Sequence, residues 1–252
     1  MVDLGLTESR NRAQSLIRAG EVLVNDCRID KPGTMVPVDA NLRISSGSSD
    51  VSRGAEKLRS ALLQFNILIE GRTTADLGAS TGGFTQVLLE KGATCVHAFD
   101  VGYGQLHERL RTDPRVVVHD RTNVRYLSGS EIDRVDVVVM DLSFIGLELV
   151  LPSALAIAAV DADFVALVKP QFEAGKELVG KGGVVRDEAS LYSVLDKHLS
   201  TLKENGCACW ALVASILKGK KGNQEFLSWF RRVEDYGKPE IEPDISKVVA
   251  GA

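Results

Sequence analysis

The fold of this chain is decided by residues 73–84, which read TTADLGASTGGF. Thr73 to Leu77 form a strand-like run, and an amphipathic stretch follows from Phe84 onward. The three glycines between them let the backbone approach a bound molecule without interference from Cβ atoms. The free N–H groups at the start of the next helix point into the same space. This strand–turn–helix unit predicts the first βα unit of a nucleotide-binding α/β sheet of the Rossmann type.

Several chemistries use a glycine turn of this kind, and the residues leave more than one open. A dinucleotide-binding turn reads G-x-G-x-x-G, whereas Ser80 stands at the second glycine position here, so the match is poor. The pattern G-x-S-x-G fits a hydrolase nucleophile, but too few strands precede it, and His198, the last candidate histidine, lies within a helical pattern. The turn could also hold the amino-acid end of S-adenosylmethionine (SAM), or simply connect a strand to a helix.

The composition is that of an ordinary soluble protein. The chain has 252 residues, of which 44% are hydrophobic and 25% charged, enough for one large domain or for a medium and a small one. A net charge of −4 means that any contact with nucleic acid must come from local basic patches. The four cysteines form no C-x-x-C pair, which predicts the reduced thiols of a cytoplasmic protein rather than a zinc site or disulfides. No signal-peptide pattern is present, and the longest apolar stretch, residues 137–160, is interrupted by polar residues and proline, so no membrane span is expected.

Residues 1–44 form a small unit of their own in this pattern. Thr7 is expected to cap a helix that runs to Ala19, Val22–Asn25 reads as a strand, and short strands are expected between Val36 and Ile44. Basic side chains could form an RNA-binding face, but acidic neighbours nearly cancel their charge, so a solvated surface is an equal alternative. These basic residues are Arg10, Arg12, Arg18, Arg28 and Lys31.

A serine-rich linker, residues 45–52, joins this unit to the rest of the chain. Ser52 is expected to cap a helix over Arg53–Phe65. Within this helix, Lys57 taken alone is interpreted as an exposed lysine beside the buried stripe.

From Thr73 onward strands and helices alternate, which predicts an α/β fold with a seven-stranded, mostly parallel sheet and an antiparallel last strand at its edge. After the first strand, the strand-like runs cover residues 94–99, 115–118, 135–140, 164–168, 207–216 and 224–230. Residues 135–140 are nearly all apolar and β-branched, as a strand buried on both faces should be. Helices are expected over residues 147–160 and 187–205, the second capped by Asp187, and the tail from Val233 is expected to be loose.

Polar residues follow several of these strands at the edge where open α/β sheets bind ligands. Asp100 is placed to accept hydrogen bonds from both hydroxyls of a ribose, although an aspartate that caps the next turn is the alternative. Residues 119–123, HDRTN, could hold an adenine and its amino group. Asp141 and Lys169 end two strands that are one βα unit apart, and a lysine after such an apolar strand indicates a chemical role.

Two glycine-rich and basic segments remain. Residues 171–186 are long enough to be a lid or a substrate loop, with a plain connector as the equal alternative. Residues 218–223, KGKKGN, are expected to form a basic hairpin before the last strand.

Two parts of the chain resemble known families. Residues 5–25, GLTESRNRAQSLIRAGEVLVN, resemble the S4 RNA-binding module, shortened at its amino end. The rest resembles the FtsJ/TlyA-type (haemolysin-A-like) ribosomal RNA 2′-O-methyltransferases. The motifs that carry this likeness are SRGAEKL (52–58), DLGASTGGFT (76–85), DVGYGQL (100–106), MDLSFI (140–145), LVKPQFE (167–173) and KGNQEFL (221–227).

The resemblance implies a Rossmann-like methyltransferase domain over residues 53–252 behind an S4-like α+β domain over residues 1–44. It implies transfer of a methyl group from SAM to the ribose 2′-oxygen of cytidines in ribosomal RNA, with ribosomal subunits as partners and with neither a metal nor a membrane. The implied catalytic tetrad is Lys57, Asp141, Lys169 and Glu225. The implied SAM-binding residues are Asp76, Gly78, Ala79, Ser80, Thr81, Gly82, Gly83, Phe84, Asp100, Val101, Asp120, Thr122, Asn123 and Asp141. The implied RNA-binding residues are Ser9, Arg10, Arg12, Arg18 and Lys31.

The residue types of the tetrad suit this reaction. A ribose hydroxyl is a poor nucleophile, so a neighbouring group must take its proton or stabilise the forming alkoxide. Lys169 fits that role, Asp141 and Glu225 would orient it, and Lys57 would add positive potential at the developing oxyanion. Two alternatives stay open: a ribosome-assembly factor with a vestigial site, and a haemolysin, against which the lack of an apolar span argues.

Overall fold

The computed structural model describes residues 1–18, 22–25, 27–29, 31–38, 40–44, 50–174, 183–185, 187–219 and 221–252. Its internal contacts divide the chain into two units, Met1–Asp50 and Val51–Ala252. The predicted boundaries, with a linker at 45–52, stay a prediction, since residues 45–49 lie outside the described ones. No described helix is long and apolar enough to cross a membrane.

The first unit consists of one helix and a small antiparallel sheet. Helix α1 covers Arg10–Arg18, and the strands are β1 (Val22–Val24), β2 (Cys27–Ile29) and β3 (Leu42–Ile44), in the order β2-β1-β3. The predicted cap at Thr7 is wrong, because the helix begins at Arg10, three residues after Thr7. The Thr7 hydroxyl instead donates to the carbonyl of Ser9 at 3.5 Å. The strands expected from Val36 reduce to β3, and β2 was not predicted.

The second unit is built on one seven-stranded sheet in the order β6-β5-β4-β7-β8-β10-β9. Strands β4 to β8 pair in parallel, whereas β10 is antiparallel to both of its neighbours. The strand bounds are β4 (Thr73–Leu77), β5 (Cys95–Phe99), β6 (Val116–His119), β7 (Val135–Met140), β8 (Ala158–Val168), β9 (Cys207–Ala214) and β10 (Phe226–Arg232).

Helices connect the strands and cover both faces of the sheet. Two of the predicted caps are confirmed: the Ser52 hydroxyl accepts from the Gly54 N–H, and the Asp187 carboxylate accepts from the Ser190 N–H. The helix bounds are α2 (Arg53–Phe65), α3 (Gly83–Glu90), α4 (Glu108–Arg111), α5 (Leu151–Ile157), α6 (Pro170–Glu173), α7 (Glu188–Glu204), α8 (Val233–Tyr236) and α9 (Ile245–Ala250). Short 3₁₀ turns lie at Val124–Tyr126 and Leu147–Leu149.

Three expectations for this unit are wrong. The last strand, β10, is antiparallel as predicted, but it pairs on both sides and so lies between β8 and β9 rather than at the edge of the sheet. The helix expected over residues 147–160 ends at Ile157, and β8 begins at Ala158, six residues earlier than predicted. The tail expected to be loose contains α8 and α9, and α9 buries Ile245 and Val249 in the core.

The core has two parts, one on each face of the sheet. Helices α2 and α3 cover one face through Leu58, Phe65 and Leu88. The other face is covered by α5, α7 and α9. Alternate residues of β7 enter the two clusters, so this strand is buried on both faces as its sequence predicts. The sheet is therefore held rigidly, and its carboxyl-terminal edge offers a fixed platform for polar side chains.

Candidate active site

The turn after β4 approaches the end of β7 so closely that only glycine fits at Gly78. This residue has φ of +88°, and a Cβ there would lie 2.8 Å from the carbonyl oxygen of Asp141. The N–H groups of Gly78 and Ala79 both donate to the Phe99 carbonyl, which ties the turn to β5. The turn is thus fixed between its two neighbouring strands, with the first turn of α3 behind it.

Asp76, the last polar residue of β4, is completely buried below the turn. One of its oxygens accepts from the N–H (2.8 Å) and the hydroxyl (2.7 Å) of Thr85, while Oδ1 has no partner among the described residues. Burial raises the pKa of Asp76 to about 7; the bonds from Thr85 oppose this shift, and the charges of Asp141 and Asp100 add to it. Three carboxyl groups therefore surround the glycine turn.

Asp100 is already occupied by groups of its own loop. Its carboxylate accepts from the N–H groups of Ser80 (2.8 Å) and Gly102 (2.7 Å) and from the amide of Gln105 (3.0 Å). These bonds fit the alternative prediction for Asp100, in which its side chain caps the turn that follows. They also join the loop after β5 to the glycine turn. Gln105 was not identified from the sequence, where only its motif DVGYGQL gave a signal.

The polar cluster after β6 lies beside that loop. Asp120 accepts from Arg111 at 2.9 Å, and this contact holds the pKa of Asp120 below its usual range. The N–H of Thr122 donates to the Asp100 carbonyl at 2.9 Å, so the two loops form one rim. Asn123 caps the following 3₁₀ turn by accepting from the Arg125 N–H at 3.1 Å.

The four tetrad residues form two ion pairs. Asp141 and Lys169 follow β7 and β8, which are adjacent, and the lysine Nζ lies 2.6 Å from Oδ1 of Asp141, in ion-pair contact without the angle of a hydrogen bond. The same amine donates to the Ser143 hydroxyl at 3.0 Å. Lys57 of α2 pairs with Glu225, which directly precedes β10.

The second pair is more deeply buried than the first. Lys57 is 8% and Glu225 3% exposed, so the interpretation of Lys57 as an exposed helical lysine is wrong. Gln171, two residues after Lys169, donates to Glu225 at 3.2 Å and so connects α6 with the buried pair. A Cβ on Gly54 of α2 would lie 3.5 Å from Oδ2 of Asp141, which places the start of this helix against the first pair.

An aromatic pair that sequence analysis missed lies next to Lys169. Phe144 is 88% exposed with φ of +65°, a conformation that is uncommon for a bulky residue, and its ring is centred 4.8 Å from that of Phe172. The Lys169 amine lies 5.9 Å from the centre of the Phe172 ring. The motif MDLSFI contains Phe144, but no periodicity in it indicates an exposed ring.

The predicted lid and the predicted RNA face are described only in part. Residues 175–182 and 186 of the 171–186 segment lie outside the described residues. Its far end is fixed by Asn223, which accepts from the Val185 N–H (2.9 Å) and donates to the Gly183 carbonyl (2.8 Å). In the first unit Ser9, Arg10 and Lys31 are exposed, whereas the side chains of Arg12 and Arg18 lie outside the description.

The geometry fits a small cationic ligand beside the glycine turn. A Cβ at Gly78 would fill the space against β7, Asp76 has an unpartnered oxygen, and Asp100 and Asp141 add negative charge. SAM carries a sulfonium, an ammonium and a carboxylate group, so its net charge is positive and suits a site that carboxyl groups surround.

Comparison with known proteins gives matches over nearly the whole chain. The model of the FtsJ-like methyltransferases matches residues 51–232, and the model of the S4 domain matches residues 1–42. A protein of Mycobacterium tuberculosis named 16S/23S rRNA (cytidine-2′-O)-methyltransferase TlyA is 48% identical over 93% of this chain and 89% of its own. Hemolysin A of Brachyspira hyodysenteriae is 37% identical over 90% of this chain and 95% of its own. A solved structure from Streptococcus thermophilus, named provisionally as a hemolysin, is 38% identical with a TM-score of 0.80 and covers 98% of this chain and 90% of its own.

Proposed function

The chain belongs to the FtsJ-like methyltransferase family, and from this premise we propose that it methylates the ribose 2′-oxygen of cytidines in ribosomal RNA, in the cytoplasm, with SAM as the methyl donor. The observation that carries the proposal is the pair Asp141–Lys169 at the ends of two adjacent strands, beside the glycine turn. The relative from M. tuberculosis, named for this reaction, supports the choice of cytidines in ribosomal RNA.

SAM would lie against the glycine turn and the rim formed by the loops after β5 and β6. The backbone N–H groups at the start of α3 and the carboxyl groups of Asp76 and Asp141 would hold its charged end, and the loop that carries Asp100 would border its ribose. Asp120, Thr122 and Asn123 would border its adenosine. When bound, SAM supplies a methyl group on a positively charged sulfur, which is a good leaving group.

Lys169 would take the proton of the ribose hydroxyl as the oxygen attacks. Its amine is held by Asp141 and by the Ser143 hydroxyl, so it is fixed in position before substrate arrives. Only the neutral form of this amine can accept a proton. The pair Lys57–Glu225 adds a fixed dipole close by, and Gln171 keeps Glu225 oriented toward the site.

The RNA partner is supported by side chains around the site. Phe144 offers an exposed ring next to Lys169 on which a base turned out of its helix could stack. Arg121 lies 4.5 Å above the Tyr103 ring and Arg125 lies 5.8 Å from the Tyr126 ring, and neither is in ion-pair contact with a described carboxylate. Arginines on exposed tyrosines suit RNA phosphates and bases.

The test is to map 2′-O-methyl groups on purified ribosomal subunits after incubation with the protein and SAM. We expect new methyls on cytidines with the unchanged chain and a loss of at least about a hundredfold in rate with Lys169→Ala. Lys203→Ala, at an exposed lysine of α7, is the matched control and should keep full activity.

Calorimetry with SAM separates the alternatives. Lys169→Ala should still bind SAM, because the glycine turn and its carboxyl groups are intact. Methylation by this variant at the normal rate would refute the role of the lysine. RNA binding without SAM binding would identify a vestigial factor, and leakage of liposomes would identify a haemolysin.

A further inference from the structure

A small pocket lies beside Lys169, at the carboxyl ends of β7 and β8. Its walls come from the carboxyl ends of β7 and β8, from the 3₁₀ turn at Leu147, from α6 and from α7. These walls are apolar except at Lys169, Glu173 and His198. The catalytic lysine therefore shares a pocket with two titratable side chains that the reaction described above does not use.

His198 has no partner for either ring nitrogen among the described residues, although it is only 4% exposed. Burial lowers the pKa of His198 to about 4, so the ring is neutral and has one donor and one acceptor to satisfy. A buried polar group without a hydrogen bond costs about 1–3 kcal/mol, which makes an ordered water the expected partner.

Glu173 is satisfied only in part. The Leu147 N–H donates to its two oxygens at 3.2 and 3.4 Å, and no other described group binds them. Burial raises the pKa of Glu173 to about 7, and the charge of Glu148 raises it further, while the Leu147 N–H and Lys197 oppose the shift. A carboxyl group in this environment can gain and lose a proton near neutral pH.

We propose that the pocket holds ordered water, bound by His198, and that Lys169 passes the substrate proton through this water to Glu173. This inference rests on the methyl transfer proposed above. The oxygen–methyl bond forms as the methyl–sulfur bond breaks, the sulfur keeps that electron pair, and the hydroxyl proton moves to the Lys169 amine. The ammonium so formed gives a proton through the water to the Glu173 carboxylate, which later releases it to solvent.

The proton on Glu173 would leave to solvent past two exposed charged side chains, Glu148 and Lys197. Glu148 and Lys197 form a surface pair at 3.5 Å, with side chains 42% and 53% exposed, and both act on the charge of Glu173. The titratable or charged groups facing Glu173 are Lys169, His198, Glu148 and Lys197.

Glu173→Gln tests the relay, because the amide can still accept from the Leu147 N–H but cannot take up a proton. Because Lys169 must lose its proton before the next methyl transfer, we expect multiple-turnover methylation to slow about tenfold or more and its rise with pH near 7 to disappear, while the first turnover keeps its rate. The affinities for SAM and for ribosomal subunits should not change. Glu204→Gln, at the exposed end of α7, is the matched control. An unchanged rate and pH profile in Glu173→Gln would overturn the relay.

A second measurement does not depend on turnover. A high-resolution crystal structure should show water in contact with both Glu173 and His198, and His198→Leu should displace it and slow the reaction; a dry pocket would overturn the proposal.

The relay and the methyl transfer on which it rests can be refuted separately. If Lys169→Ala stays active, the role of the lysine fails, whereas a lysine-dependent enzyme with a silent Glu173→Gln loses only the relay.

Discussion

The charge beside the glycine turn depends on pH, because the carboxyl group of Asp76 lies below this turn and has a raised pKa. Its pKa is raised to about 7, so below pH 7 the unliganded site carries a proton that a cationic ligand must displace. The affinity for SAM should therefore fall as the pH drops below 7, by up to about tenfold per pH unit, and level off above 7. Calorimetric titrations on both sides of pH 7 measure this slope.

The control for this prediction is Asp76→Asn, which keeps an acceptor for the two bonds from Thr85 but cannot ionise. Its affinity for SAM should be lower than that of the unchanged chain at high pH and independent of pH. A flat profile in the unchanged chain would show that Asp76 is not coupled to the ligand.

Single residues also show where sequence reasoning stops. Asp141 and Lys169 were identified from the sequence because each directly follows a recognisable buried strand, and the ends of neighbouring parallel strands must meet. Lys57 could not be identified as buried from its helix alone. Its partner Glu225 is 168 residues away in the chain, and no local pattern carries that contact.

Among the elements, β4 and β7 were predicted with the bounds that the structure has, since their apolar runs end at a glycine turn and at Asp141. Helices α2 and α7 were predicted from their caps. The place of β10 was not, because its pairing partners depend on how the chain returns to the sheet and not on its own composition. The burial of α9 was not predicted, because its two core residues, Ile245 and Val249, lie in a segment of the sequence that is rich in charged residues.

The second prediction concerns Gly78, in the glycine turn between β4 and α3. Gly78→Ala would place a Cβ 2.8 Å from the Asp141 carbonyl oxygen, so the end of β7 must move. SAM binding should weaken as a result, about tenfold for each 1.4 kcal/mol of free energy that this movement costs. Gly71→Ala is the matched control, since its φ is +78° but its Cβ would meet nothing within 4 Å. It should cost about 1 kcal/mol of stability from backbone strain and leave binding intact. Equal SAM affinities in the two variants would contradict the close approach.

The third prediction concerns the contacts that join β8 to β10. Asp163 of β8 is 1% exposed and accepts from Arg231 (2.6 Å) and the Trp229 indole (2.8 Å) of β10 and from Arg72 (2.6 Å). Asp163→Ala leaves two guanidinium groups without their carboxylate, so the free energy of unfolding in urea should fall by about 3 kcal/mol.

The control removes a similar pair from the surface. Asp113→Ala breaks a contact with Arg115 at 2.8 Å in which the arginine is 44% exposed, so it should cost less than about 1 kcal/mol. Equal losses of stability in the two variants would mean that burial of Asp163 contributes nothing to the joining of these strands.

At the scale of the whole molecule, the roles of the two units can be tested separately. Among the described residues, the buried members of both core clusters lie between Ala55 and Val249, and none belongs to the first unit. Residues 51–252 alone should therefore fold and bind SAM as tightly as the full chain. What the fragment should lose is affinity for ribosomal subunits, because the S4 domain over residues 1–42 is gone.

Salt dependence measures that loss directly. Each phosphate contact that is removed should make the slope of log Kd against log salt shallower by about one, so the fragment should bind subunits more weakly and with less sensitivity to salt. A full-length chain with Arg10→Gln and Lys31→Gln, two exposed residues of the first unit, should change the slope in the same direction while SAM binding stays constant. If the fragment bound subunits with the affinity and slope of the full chain, RNA recognition would lie entirely within the methyltransferase unit, on surfaces such as the one around Arg121 and Arg125.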